Sequence, residues 1–183
     1  MEKKLQTTKH HIIRVAITGP ESTGKSALTK YLAMHFNTVS IPEFARDYIE
    51  NLGREYNFDD LTIMAKRQIS SERCLQKMAS NYLFCDTELT VIKIWAEHCY
   101  HVCPDWVTEN LHKVRYDLYL LCNIDLPWEA DPQREHPHLR KHFFELYYME
   151  LKNRNLPFVV ISGTGDVRFD MAVKEVEKLI AKR

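Results

Sequence analysis

Gly19-Pro20-Glu21-Ser22-Thr23-Gly24-Lys25-Ser26 is the stretch whose residue types and spacing speak most directly of chemistry. Two glycines separated by four residues, then Lys and Ser, form the pattern of a phosphate-binding loop. The glycines let the backbone curl until several N–H groups face one anion. A helix starting behind the loop adds the positive end of its dipole. In such a loop Lys25 reaches the β- and γ-phosphates and Ser26 holds Mg²⁺. The expected nucleotide-binding residues are therefore Gly19, Glu21, Ser22, Thr23, Gly24, Lys25, Ser26 and Ala27, with Lys25 also acting on the reaction itself.

Transfer of the terminal phosphoryl group needs charge neutralisation and a group that orients the acceptor. Asp86 ends the apolar run Tyr82-Leu83-Phe84-Cys85. A carboxylate emerging there holds Mg²⁺ with Ser26, often through water, and Thr87 and Glu88 follow it. Glu43 and Asp47 lie in Pro42-Glu43-Phe44-Ala45-Arg46-Asp47-Tyr48, after a weaker apolar run. Either could accept an acceptor's proton, although a carboxylate there also suits a helix N-terminus. Arg134 and Arg140 sit in a Pro- and His-rich stretch and would neutralise the transferring phosphate from a lid. Trp128, beside Pro127, reads either as a platform for an aromatic ligand ring or as an anchor for that lid.

These residues need elements to position them. Ile12 to Ile17, Tyr82 to Cys85, Leu118 to Cys122 and Phe158 to Ile161 are short apolar runs, and Thr38 to Ile41 is a weaker one. Helical periodicity fills the intervals at 25–35, 59–80 and 171–181, with Asp59 as a helix cap. Strands alternating with helices predict an α/β protein: a three-layer P-loop NTPase fold with a mostly parallel five-stranded sheet flanked by helices. The chain reads as a single domain, with a flexible segment at 1–10 and a helical lid at 125–145.

Composition narrows the partners. The chain has 183 residues, 45% hydrophobic and 27% charged, with 25 Lys+Arg against 25 Asp+Glu. That balance leaves no basic footprint for nucleic acid, and no apolar run reaches the ~20 residues that cross a membrane. Five cysteines at scattered spacings fit free thiols in the cytoplasm. The His98–Cys103 and His136–His142 clusters lack the ligand spacing of a transition-metal site. A homo-oligomer is compatible with this composition.

The loop Ile17 to Ser26, the Pro42 to Tyr48 segment, Cys85-Asp86-Thr87-Glu88-Leu89 with Ala96-Glu97-His98, and Tyr116 to Cys122 running into Asp125-Leu126-Pro127-Trp128 together carry a likeness, extended by Val159 to Gly163. Over about residues 10–182 the chain resembles the ribosylnicotinamide kinase domain of the NadR family. The resemblance implies ATP as donor, Mg²⁺ as cofactor and nicotinamide riboside as acceptor, phosphorylated on its 5′-hydroxyl to give nicotinamide mononucleotide (NMN). It also implies Trp128 stacked on the nicotinamide ring, and a carboxylate among Glu43, Asp47 and Asp86 on the ribose. Arg134 and Arg140 become lid arginines, and Gly163 lies near the adenine. With the loop starting at residue 19, a separate NMN adenylyltransferase is expected to complete NAD synthesis. A kinase for another nucleoside, or a nucleotide-gated regulatory module, is the competing expectation.

Overall fold

A computed structural model describes residues 11–134 and 136–181. The expected flexible segment at 1–10, and Glu135 of the lid, lie outside the described residues. The five apolar runs are the five strands: β1 (Ile13–Thr18), β2 (Ser40–Ile41), β3 (Tyr82–Asp86), β4 (Leu118–Cys122) and β5 (Phe158–Ile161). Their order is β2-β3-β1-β4-β5, and every pairing is parallel. Val15 of β1 is in register with Phe84 of β3 on one side and Leu118 of β4 on the other.

Among the described residues seven α-helices connect and cover the sheet: α1 (Lys25–His35), α2 (Phe44–Glu50), α3 (Phe58–Leu75), α4 (Leu89–Tyr100), α5 (Asp105–Leu111), α6 (Arg140–Asn153) and α7 (Gly165–Ala181). The two-residue repeat of a strand sends alternate side chains to opposite faces. Val15, Ile17, Phe84 and Leu120 meet Leu28 and Leu32 of α1 and Val176 of α7. Ala16, Leu83, Cys85 and Leu121 meet Ile94 of α4 and Phe143, Tyr147 and Leu151 of α6. With both faces covered, β3 and β4 are buried along their whole length, which is why they read as unbroken apolar runs. Each large side chain buried there contributes about 1.5–3 kcal/mol. Leu61, Met64 and Ile69 of α3 form a third cluster with Ile92 of α4 and Val107 of α5.

Two boundaries differ from expectation. Asn57, not Asp59, caps α3: its side chain accepts from the Asp59 and Asp60 amides at 3.0 and 3.3 Å, and Asp60 returns a bond to the Asn57 amide at 2.8 Å. That reciprocal pair satisfies donors a lone Asp59 cap would leave open. The last helix starts at Gly165 rather than Met171, which brings Arg168 and Phe169 into it; Phe169 stacks on Tyr31 of α1 with centroids 4.2 Å apart. The lid stretch is irregular from Asp125, tightens into a 3-10 turn at Pro137–Leu139, and becomes α6 at Arg140, whose Phe143 and Tyr147 belong to the core. No helix among the described residues is long and apolar enough to cross a membrane.

Candidate functional site

The carboxyl ends of the parallel strands bring the sequence-predicted groups together, as a sheet of this topology does. β1 delivers the phosphate loop, and two of its glycines are obligatory. Gly19 has φ +129°, and a Cβ there would lie 2.9 Å from the Cys122 carbonyl of β4. Gly24 has φ +74°, and a Cβ there would meet Leu126 of the lid root at 2.9 Å. The loop therefore lies against β4 on one side and the lid root on the other. Lys25 opens α1, and its ammonium donates to the Pro20 carbonyl at 2.7 Å, which holds the charge across the loop.

β3 delivers Asp86. Its Oδ1 is buried without a hydrogen-bond partner, on the side of the site where Ser26 lies in the first turn of α1. Burial raises the Asp86 pKa, while Ser26 and then Lys25 pull it down. The two residues expected to hold Mg²⁺ are thus neighbours. An orphaned carboxylate oxygen beside a hydroxyl suits a hard cation completed by phosphate and water. Among the described residues no group of three or more His, Cys, Asp or Glu side chains is arranged to hold a metal.

Thr87 follows with φ +67°, an uncommon conformation for a β-branched residue, and its amide bonds the Ile17 carbonyl at 2.9 Å. Glu88 then caps α4 through the Thr90 amide at 2.7 Å and takes the Thr18 hydroxyl at 3.3 Å. Burial pushes its carboxyl up to about 7, against the bonds from Thr90. These ties lock the end of β3 to the end of β1.

β2 delivers Glu43. It stands at the N-cap of α2 yet makes no capping hydrogen bond, and it lines a cavity of about 920 Å³ together with the phosphate loop. Burial raises its pKa, the Lys25 ammonium lowers it, and the Asp86 carboxylate raises it again. Asp47, one helical turn on, is exposed and does not line the cavity. Of the three carboxylates expected to serve the acceptor, the structure brings Glu43 to the cavity wall and Asp86 to Ser26.

The lid residues divide in the same way. Arg134 lines the cavity and donates to the Glu129 carbonyl at 2.7 Å. Arg140 lies off the cavity wall and clamps the Ser22 and Leu126 carbonyls at 2.9 and 3.0 Å, tying the lid root to the phosphate loop. Trp128 is also off the wall, half-buried, with the Arg140 guanidinium 5.9 Å from its ring centroid. Gly163 donates its amide to Asp125 at 2.6 Å.

Several site residues escape a reading from sequence. Trp95 of α4 and Tyr56 line the cavity, the indole N–H donating to the Tyr56 hydroxyl at 2.6 Å. Arg46 lines it too, three residues after Glu43, and pairs with Asp131 of the lid. That i, i+3 spacing on α2 was the available signal. Arg168 gave none. It is only 2% exposed, and its guanidinium reaches the Thr23 carbonyl at 2.7 Å, Asp125 at 2.7 Å and the Gly163 carbonyl at 3.1 Å. One side chain therefore joins the phosphate loop, the lid root and the turn after β5. Arg168→Ala is expected to lower unfolding free energy by about 3–5 kcal/mol, because it strands buried carbonyls and the Asp125 carboxylate. Urea denaturation measures this, and a loss under about 1 kcal/mol would show that the clip is solvated.

Comparison with known proteins places this geometry. The trifunctional NAD biosynthesis/regulator protein NadR of Salmonella typhimurium strain LT2 is 30% identical over 176 residues, covering 92% of this chain and 43% of that protein. The chain thus spans less than half the length of the curated relative it matches. A solved NadR protein in complex with nicotinamide riboside superposes with TM-score 0.77 at 23% identity, over 91% of this chain and 50% of that one. A second NadR structure, in complex with NAD and AMP-PNP, gives TM-score 0.70 at 24% identity, over 91% and 49%. At those identities the two structures show the shared fold. Residues 14–168, from the second residue of β1 to the buried arginine of α7, match the AAA_28 family, described as an AAA domain, and the chain belongs to that family.

Proposed function

We propose that this protein is an ATP-dependent kinase that phosphorylates the 5′-hydroxyl of nicotinamide riboside, giving NMN and ADP. The observation that carries the reading is a single cavity. It is lined by the phosphate loop, by a carboxylate without a capping bond, Glu43, and by an aromatic wall from α4 and the turn before α3, backed by Leu61 and Met64 of α3. The loop suits a nucleoside triphosphate, and the aromatic wall suits a planar ring on the acceptor. The NadR relatives, one solved with nicotinamide riboside, support the choice of acceptor.

The residues then take roles. Loop amides and Lys25 neutralise the β- and γ-phosphates. Mg²⁺, held by Ser26 and Asp86, supplies further charge neutralisation on the phosphate oxygens when bound. Glu43 accepts the proton of the 5′-hydroxyl as that oxygen bonds to the γ-phosphorus. The bond from the γ-phosphorus to the β-bridging oxygen breaks, and ADP leaves with that electron pair. Arg134 meets the transferring group from the lid side, and Arg140 positions the lid root. The aromatic that meets the acceptor ring is Trp95 with Tyr56, while Trp128 supports Arg140.

A steady-state assay with Mg-ATP and nicotinamide riboside, uridine, cytidine, adenosine and thymidine tests this. The expected result is strong preference for nicotinamide riboside. Preference for another nucleoside overturns the acceptor assignment. ATP binding without transfer to any acceptor overturns the kinase assignment in favour of a nucleotide-gated regulatory module.

A further inference from the structure

We propose that the Ser22 hydroxyl is a pin by which the phosphate loop holds the lid root and, through it, Arg134, a positioning role that rests on the kinase reading above. The motif places Ser22 in the nucleotide cradle, yet its hydroxyl faces the lid. Ser22 Oγ accepts the Glu129 amide at 2.8 Å and donates to the Pro127 carbonyl at 3.4 Å. Those two bonds grip the peptide groups on either side of Trp128. The gripped segment then acts on the cavity. The Glu129 carbonyl takes the Arg134 guanidinium at 2.7 Å, and Arg134 lines the cavity. Glu129 is thus held at its amide by the phosphate loop and at its carbonyl by the lid arginine. A displacement of the loop reaches Arg134 through one residue.

The backbone of the loop is a separate observation that points the same way. Ser22 has φ +55°, uncommon outside glycine, and is only 8% exposed. Such a conformation persists where the surroundings over-determine it. Here the lid supplies those surroundings. Besides the two hydroxyl bonds, Arg140 takes the Ser22 carbonyl at 2.9 Å and the Leu126 carbonyl at 3.0 Å. Leu126 also fills the space that a Cβ on Gly24 would need. Loop and lid root therefore touch with no slack between them.

Phosphates settling among the loop amides set the lid as well. A lid set in this way keeps water from the γ-phosphate until the acceptor hydroxyl is in place. The Ser22 hydroxyl therefore governs how the phosphoryl group divides between acceptor and water. In the leak to water, a water oxygen bonds to the γ-phosphorus and the bond to the β-bridging oxygen breaks. ADP, inorganic phosphate and a proton are released.

The test uses the intact protein as wild type, Ser22→Ala and Ser22→Gly. Glycine loses the hydroxyl but accepts the positive φ, so it separates the hydroxyl from backbone strain. NMN formation with nicotinamide riboside, and phosphate release without it, are measured at saturating Mg-ATP. The ratio of transfer to hydrolysis is expected to fall roughly 5- to 150-fold in both variants, the span for stranding one buried hydrogen-bond partner. Hydrogen–deuterium exchange with and without AMP-PNP reads the lid directly. Wild-type peptides covering 126–134 should gain protection with the nucleotide. Both variants should lose that gain while β3 stays protected, which separates a loosened lid from misfolding. A wild-type ratio, an equal fall of transfer and hydrolysis, or a nucleotide-dependent gain kept in both variants or missing from the wild type overturns the pin. A loss in Ser22→Ala restored in Ser22→Gly assigns the effect to strain and also overturns it. Wild-type protein that gains lid protection but transfers to no riboside overturns the kinase reading, and exchange in the variants then decides the pin alone.

Discussion

Lys25→Ala is expected to lower kcat by about 10²–10³-fold, the usual cost of removing one preorganised donor from a developing oxyanion. The Michaelis constant for the acceptor should change little, since Lys25 belongs to the phosphate loop rather than to the α3–α4 wall. A second consequence follows from the charges. The Lys25 ammonium holds the Glu43 pKa down against burial. Removing it raises that pKa further, so the acid limb of the rate profile should move to higher pH. Near-normal turnover in Lys25→Ala would sink the phosphate-loop assignment. Lost turnover with an unmoved acid limb would show that Glu43 is not the titrating group.

Glu43→Gln should cost about 10²–10⁴-fold in kcat, the range for a positioned proton acceptor. The amide keeps the shape of the side chain but cannot take the hydroxyl proton. Because burial raises the Glu43 pKa, wild-type activity should fall on acidification at a pH above the ordinary carboxylate range. The sign is fixed by the role: the ionised form is active, so activity rises with pH through the Glu43 pKa. In Glu43→Gln that limb should vanish. Asp47→Asn, at the exposed position one turn on, is expected to cost under about tenfold, since it removes no group from the cavity wall. Wild-type kcat in Glu43→Gln would pass the role to another group and leave the raised pKa without a catalytic purpose.

The sheet and the phosphate loop were legible because their signals are local. Each strand is a short apolar run, and the loop is a fixed spacing of glycines followed by Lys and Ser. α4 was illegible for an equally physical reason. Leu89-Thr90-Val91-Ile92-Lys93-Ile94-Trp95 is rich in β-branched residues that favour strands. The Glu88 cap and packing of Ile92 and Ile94 override that preference. The cavity aromatic followed the same logic: Trp128 stands out in a polar loop, whereas Trp95 sits inside an apolar helix, where core packing alone would account for an aromatic side chain. Glu43 and Asp47 share a helix end and a residue class, and only the path of α2 decides which one reaches the cavity. The Asp86–Ser26 pairing was readable because both members belong to recognised spacings. The Arg168 clip was not, since an arginine in an amphipathic helix normally faces water.

The reach of that clip has a consequence for how the protein is made. The Thr23 carbonyl and the guanidinium that holds it are 145 residues apart in sequence. At a synthesis rate of roughly 5–20 residues per second, the loop waits about 7–30 s on the ribosome before Arg168 is added. During that interval the nascent strand β1 carries every residue of the phosphate motif but lacks the contact that fixes its far end. Capture of ATP by the growing chain should therefore begin only once α7 has emerged, so that nucleotide occupancy reports completion of the fold rather than translation of the motif.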